Sequence, residues 1–276
     1  MADPHFLELA QATGAPAAAR RRAVLPPVVN PPTNLIPHPK LKGSYLLVPV
    51  DGKGPAYGNE VNVPRWLGSN TKVLTMLAHV MVRRANVLDP NHVKTPDGIA
   101  LREFISRSFP NEGMRLAVDD LAWFGKLAKD DPKKLEEVAA RFGMRGEELA
   151  ALAMTPEQAK KVHRLASQHR SPTDHLGGVP NPKPGTEYDR DLGREEDLKY
   201  SVLLRRVAEL CGINMDKTKI VTLQGAHWSS RTPPTNEMSV WSAFLFTKKL
   251  HETGGPELMR RYGDPNGGWP HIGRGH

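Results

Sequence analysis

Apolar and polar positions along the chain divide it into a short β region followed by a long helical one. Ser44–Val50 (SYLLVPV) is a compact apolar run that predicts a buried strand, and Asp51-Gly52-Lys53-Gly54 predicts a turn. Gly58–Val63 is the expected return strand, with Pro49 at an edge or bulge because it has no N–H to donate. From Asn70 to Asn86 the spacing changes. Val73, Leu74, Leu77, Val80 and Met81 recur at helical intervals and predict a helix with one apolar face.

Further helices are expected over Asp97–Ser108, Val118–Ala128 and from Asp131-Pro132, which supplies an N-cap and a first-turn proline, to a stop at Gly143. Glu147–Ala153 reads as a short helix. Thr155-Pro156-Glu157-Gln158 reads as a capping box opening a helix to about Gln168. Residues 169–194 are a polar, Gly- and Pro-rich connection. Glu195–Cys211 predicts a helix closed by Gly212, Lys219–Leu223 a short strand, and Asn236–Leu250 a last helix. The expected fold is therefore mixed α and β, helix-rich, with a small antiparallel sheet and a helical lobe over about 97–168. The globular part spans 41–276. Residues 1–40, with Arg20-Arg21-Arg22 and prolines at 26, 27, 31, 32, 37 and 39, read as a flexible basic arm.

Composition narrows the partners without choosing one. Apolar residues make up 39% and charged ones 25%, which is globular. The net charge of +8 favours anionic partners, with weak, salt-sensitive nucleic-acid binding through the arm as one expectation. The single cysteine, Cys211, excludes an intramolecular disulfide and reads as buried and inert. No apolar run approaches the ~20 residues of a membrane helix, so no membrane insertion is expected. No signal peptide is visible at the N-terminus. No histidines have metal-ligand spacing, so no metal is expected, nor any cofactor. His227 follows a predicted strand as a candidate site residue; His271 and His276 lie in the Gly-rich tail. Trp228, Trp241 and Trp269 read as core residues before they read as a groove.

The sharpest candidate chemistry is Ser69-Asn70-Thr71-Lys72 at the start of the long helix. Taken alone, the four residues read most simply as an N-cap and a solvated first-turn lysine. The chemical alternative is a serine nucleophile with a lysine three residues on along the same helix face, its amine desolvated enough to act as base. The surroundings favour the second reading. Tyr45–Gly54 runs into Tyr57-Gly58-Asn59-Glu60, and Gly68-Ser69-Asn70-Thr71-Lys72-Val73-Leu74-Thr75 follows. This order resembles the penicillin-recognising serine hydrolases, the D-alanyl-D-alanine carboxypeptidases and their relatives, most clearly over 44–88. Gly113–Leu121 is similar to the segment leading to that family's second motif.

The resemblance implies acyl transfer at a peptide or amide bond of a cell-wall-like substrate, with Ser69 as nucleophile and Lys72 as base. It also implies an extracytoplasmic location. The family's Ser-x-Asn motif has its nearest counterpart in Ala128-Lys129-Asp130-Asp131, which lacks the serine. Its Lys-Thr-Gly edge strand has its nearest counterpart in His251-Glu252-Thr253-Gly254, with glutamate in place of lysine. Asp130, Thr253 and Gly254 are the expected substrate contacts. Glu252 is expected to repel a substrate carboxylate and to favour an uncharged or cationic acyl group.

Two non-enzymatic readings stand beside this one. A basic binding protein for nucleic acid or another macromolecule suits the charge. Leu135–Leu152 has the length of a helix-turn-helix, but Glu147-Glu148 would meet phosphate with negative charge, so a packed αα-hairpin is the preferred reading. Oligomeric state is not legible.

Overall fold

The computed structural model describes residues 25–49, 53–66, 71–107, 110–160, 193–220 and 236–262. Several expectations lie outside these: the Arg20–Arg22 arm, the turn at 51–52, Ser69 and Asn70, the 169–192 connection, Val221–Leu223, His227, Trp228 and the tail bearing Trp269, His271 and His276.

The fold is helix-rich with a little antiparallel β-structure. Strands β1 (Tyr45–Leu47) and β2 (Tyr57–Asn59) pair antiparallel with Leu46 opposite Gly58. A Cβ at Gly58 would stand 2.8 Å from a Leu35 methyl and 2.9 Å from a Val61 methyl, so a larger residue here would push those side chains aside. Strand β3 (Arg65–Trp66) belongs to a second two-stranded sheet. Then come α1 (Thr71–Val87), a 3-10 turn at His92–Lys94, α2 (Pro96–Arg107), α3 (Pro110–Asp130), α4 (Pro132–Arg141), α5 (Gly146–Ala150) and α6 (Gly193–Leu210). Strand β4 (Glu237–Met238), paired with β3, leads into α7 (Val240–Glu252) and α8 (Gly255–Tyr262).

The capping chemistry follows the sequence. Asp131 accepts a hydrogen bond from Lys134 N–H at 3.0 Å and Pro132 opens α4. Gly143 takes φ +60 to end it. Thr155 and Gln158 exchange both capping-box bonds, at 2.8 and 3.2 Å. The hairpin of α4 and α5 is a packed one. Gly146 N–H donates to Glu136, and Arg206 of α6 donates to the carbonyls of Phe142 and Gly143 at its turn. With five residues, α5 is too short to serve as a groove-reading helix.

Four expectations change. First, β1 is shorter than the predicted run and only half-buried, with Leu47 and Val48 exposed. Second, the expected single sheet is two separate ribbons, and β4 occupies residues assigned to the start of the last helix. Ser239 is that helix's true N-cap, accepting from Ser242 N–H at 3.1 Å. Third, residues 25–40 were expected to belong to a free arm, yet Val29 is clasped: its N–H donates to Gly212 O at 2.8 Å and its carbonyl accepts from the Trp241 indole at 2.7 Å. Fourth, α1 is not a helix with one apolar face. Residues 71–80 are all buried, because α3, α4, α6 and α7 surround it.

The clasp at Val29 depends on Gly212. Its φ is +73, and an added Cβ would stand 2.7 Å from Val29 Cγ2. Gly212→Ala is therefore expected to lose about 1–2 kcal/mol from backbone strain, measurable as a lower urea midpoint. An unchanged midpoint would show that the strap along 25–40 is not held there.

Candidate active site

Lys72 lies in the first turn of α1 and is 8% exposed, inside the protein rather than in solvent. Burial disfavours the charged ammonium and brings its pKa from the ordinary 10.5 down to about 8. A lysine in this state is partly neutral near physiological pH, as a general base must be. Its residue neighbours are polar and buried too. Thr71 accepts a hydrogen bond from Asn236 Nδ2 at 3.1 Å, and Thr75 Oγ1 leans back to Thr71 O at 3.4 Å. Asn236 is fully buried immediately before β4, so the β3–β4 ribbon and the start of α1 are tied at one place.

Thr71 and Thr75 open a stripe that continues at four-residue spacing through His79 and Arg83, all buried. At its lower end Asp120 of α3 acts as a shared acceptor. His79 Nδ1 is 2.9 Å from Asp120 Oδ2, Arg83 Nε donates to Oδ1 at 2.9 Å, and the Tyr200 hydroxyl of α6 donates to Oδ2 at 3.0 Å. Arg83 also donates to Asp119 O at 3.0 Å, reaches Asp97 at 3.5 Å and lies 4.3 Å from the centre of the Trp123 ring. Burial and the adjacent Asp120 carboxylate raise the Tyr200 pKa well above its ordinary value, so the phenol keeps its proton and donates it.

Of the residues singled out from sequence, the structure places Lys72 in this setting and leaves Ser69 outside the described residues. The expected substrate contacts do not gather around Lys72. Asp130 is the exposed last residue of α3. Thr253 and Gly254 are not on an edge strand: Thr253 is the C-cap of α7, its hydroxyl donating to Lys249 O at 2.9 Å, and Gly254 turns with φ +101 into α8. The start of α7 lies beside the start of α1, because Asn236 bonds Thr71 and Trp241 N–H bonds Val61 O. At 1.5 Å per residue, Thr253 is roughly 20 Å further along α7. Glu252 sits at that far end, 3.8 Å from Lys248 and 4.0 Å from Lys249, and not beside Lys72.

Asn236 was missed because its apolar followers Met238, Trp241 and Leu245 drew it into the predicted helix. The buried network was missed because the helix was read as having one apolar face, a reading that gave His79 and Arg83 no role. Their four-residue spacing with Thr71 and Thr75 is the sequence signal that marks them. Burial pushes the Cys211 thiol up to about 12, in keeping with an inert side chain.

Among the described residues no three His, Cys, Asp or Glu side chains come together as metal ligands, and no helix is long and apolar enough to cross a membrane. Compared with known proteins, the chain matches no family model, no curated protein and no solved structure.

A lysine depressed to about 8 destabilises the fold at neutral pH. Between pH 8 and 10.5 the unfolded chain holds more protons at this site, so stability rises with pH across that window. Below it the full cost applies, about 3 kcal/mol at 1.36 kcal/mol per pKa unit. Lys72→Met keeps the length of the side chain without the charge. The variant is expected to gain about 1–3 kcal/mol at pH 7, seen as a raised melting temperature, with the gain shrinking towards pH 10. A loss of stability at pH 7 would mean that what the ammonium contributes in place exceeds its cost of desolvation.

Proposed function

We propose that the chain is a serine acyl hydrolase or transferase acting on a peptide or amide bond, with Ser69 as nucleophile and Lys72 as base. The observation that carries this reading is the burial of Lys72 in the first turn of the central helix, with its amine titrating near neutrality. An N-cap with a solvated lysine would leave Lys72 at an ordinary value, because nothing would remove it from water. The resemblance of residues 44–88 to the penicillin-recognising serine hydrolases supports the same assignment, as does the arrangement of a β-hairpin ahead of a buried helix.

In this reading neutral Lys72 takes the Ser69 hydroxyl proton as the oxygen attacks the acyl carbonyl. The N-terminus of α1 and the Ser69 N–H stabilise the negative charge that develops on the carbonyl oxygen. The C–N bond then breaks, the leaving amine takes the proton from Lys72, and an acyl-serine remains. Water, or a second amine in a transferase, attacks the ester with Lys72 again accepting the proton; the C–O bond to Ser69 breaks and Lys72 returns that proton to the serine oxygen. Asn236 fixes the helix start through Thr71 and so positions Lys72 without touching the acyl group.

The test is covalent labelling of the full chain by a fluorophosphonate and by a fluorescent β-lactam. Wild type is expected to label, and Ser69→Ala is not. The labelling rate is expected to rise with pH through about 8 and then level off, which makes it roughly tenfold slower at pH 7 than on the plateau. Absence of labelling in wild type across several acyl probes would remove the enzyme reading and leave a basic binding scaffold.

A further inference from the structure

The second buried histidine lies at the opposite end of α1 and takes no part in the chemistry proposed for Lys72. His92, 5% exposed, sits on the 3-10 turn that follows α1. Its Nδ1 is 2.7 Å from the hydroxyl of Tyr262, the last described residue of α8, and that hydroxyl is 3.2 Å from Val87 O at the end of α1. The three groups join α1, the turn and α8 at one buried point. The backbone there has little room to move, because Gly98 of α2 packs so closely on the His92 carbonyl that a Cβ would stand 1.9 Å from its oxygen.

We propose that α8 is an acid-released latch: it stays docked on the end of α1 while the His92 ring is neutral, and it detaches when that ring takes a second proton. The hydrogen-bond count explains why. The Tyr262 hydroxyl has one proton. If it goes to Val87 O, His92 Nδ1–H donates to the tyrosine oxygen and Nε2 keeps a lone pair. If it goes to Nδ1, Nε2 carries the hydrogen. In either arrangement Nε2 is buried without a partner. A doubly protonated ring would need acceptors for both N–H groups, and Nε2 has none in the docked state.

The surrounding charges are mixed. Burial is the largest influence and opposes a charge on His92, His79 and Arg83 of α1 act with it, and together they outweigh Asp97 of α2 and Asp89 of the connecting turn to hold the pKa below the ordinary 6.5. On α8 itself Arg261 donates to Leu88 O and pairs with Glu257. The undocked state therefore binds more protons just below pH 6.5, and docking weakens as pH falls through that region. A window from pH 7.5 to 5 spans the histidine range, and a variant at position 92 separates this ring from the chain's other histidines.

The experiment is amide hydrogen exchange on the full chain at pH 7.5 and 5, corrected for intrinsic rates. Protection over 255–262 is expected to fall by about tenfold or more at pH 5 while α1 and α6 remain protected. His92→Gln can still bond Tyr262 but cannot charge, and its α8 is expected to stay protected at both values. The proposal is overturned if wild-type α8 keeps its protection at pH 5, if it opens only together with α1 and α6, or if His92→Gln retains the pH dependence. Should His92→Gln not fold, Tyr262→Phe decides: it keeps the ring in the core and is expected to open α8 already at pH 7.5. Protection equal to wild type in that variant would overturn the latch.

Discussion

A helix stretch buried on every side, as residues 71–80 of α1 are, must find partners for most of the polar groups it carries, and that constraint organises the rest of the molecule even though His79 Nε2 is left without one. Unpaired buried polar groups cost several kcal/mol in general, far more than a surface helix tolerates. Here Asn236 meets Thr71, and Asp120 meets His79 and Arg83 while also accepting from Tyr200. Each partner arrives on a different element, so satisfying α1 fixes α3, α6 and the β3–β4 ribbon around it. The apolar residues between, such as Leu74, Leu77 and Val82, fill the space but do not choose the arrangement.

Arginines extend the same logic to the backbone. α1 departs from helical geometry at Arg83, with φ −104 and ψ 15. Just before the break, Arg141 of α4 donates to the carbonyls of Met81 and Val82 at 3.0 and 2.9 Å. Arg206 does the same for the carbonyls that end α4. These guanidiniums replace the water that exposed helix carbonyls would have used. Several of the chain's positive charges are thus absorbed in structure. The net charge of +8 is a poor guide to what surface remains for an anionic partner.

Local chemistry was the legible part of the sequence. The cap at Asp131-Pro132, the stop at Gly143 and the Thr155–Gln158 box act over a few residues and need no knowledge of the fold. Positions that depend on what packs against them were not legible. His79 and Arg83 look like a polar face until Asp120, far away in sequence, is placed beside them. Lys72 was identified from its motif spacing, but its burial depends on the helices that enclose α1. Thr253-Gly254 matched a motif by letters alone, and the backbone around them forms a helix cap because Gly254 ends α7. A short β-pair such as β3–β4 has too few residues to show an alternation of two, so it passed for loop and helix.

Lys72 is held out of water at the head of α1, and burial brings its amine down to about 8. NMR titration of the lysine side chains, with the Lys72 signal assigned through Lys72→Met, measures this directly. One lysine is expected to titrate with a midpoint near 8 and to disappear in the variant. A Lys72 midpoint at the ordinary 10.5 would contradict it, because the desolvation on which both the site and the proposed chemistry rest would then be absent.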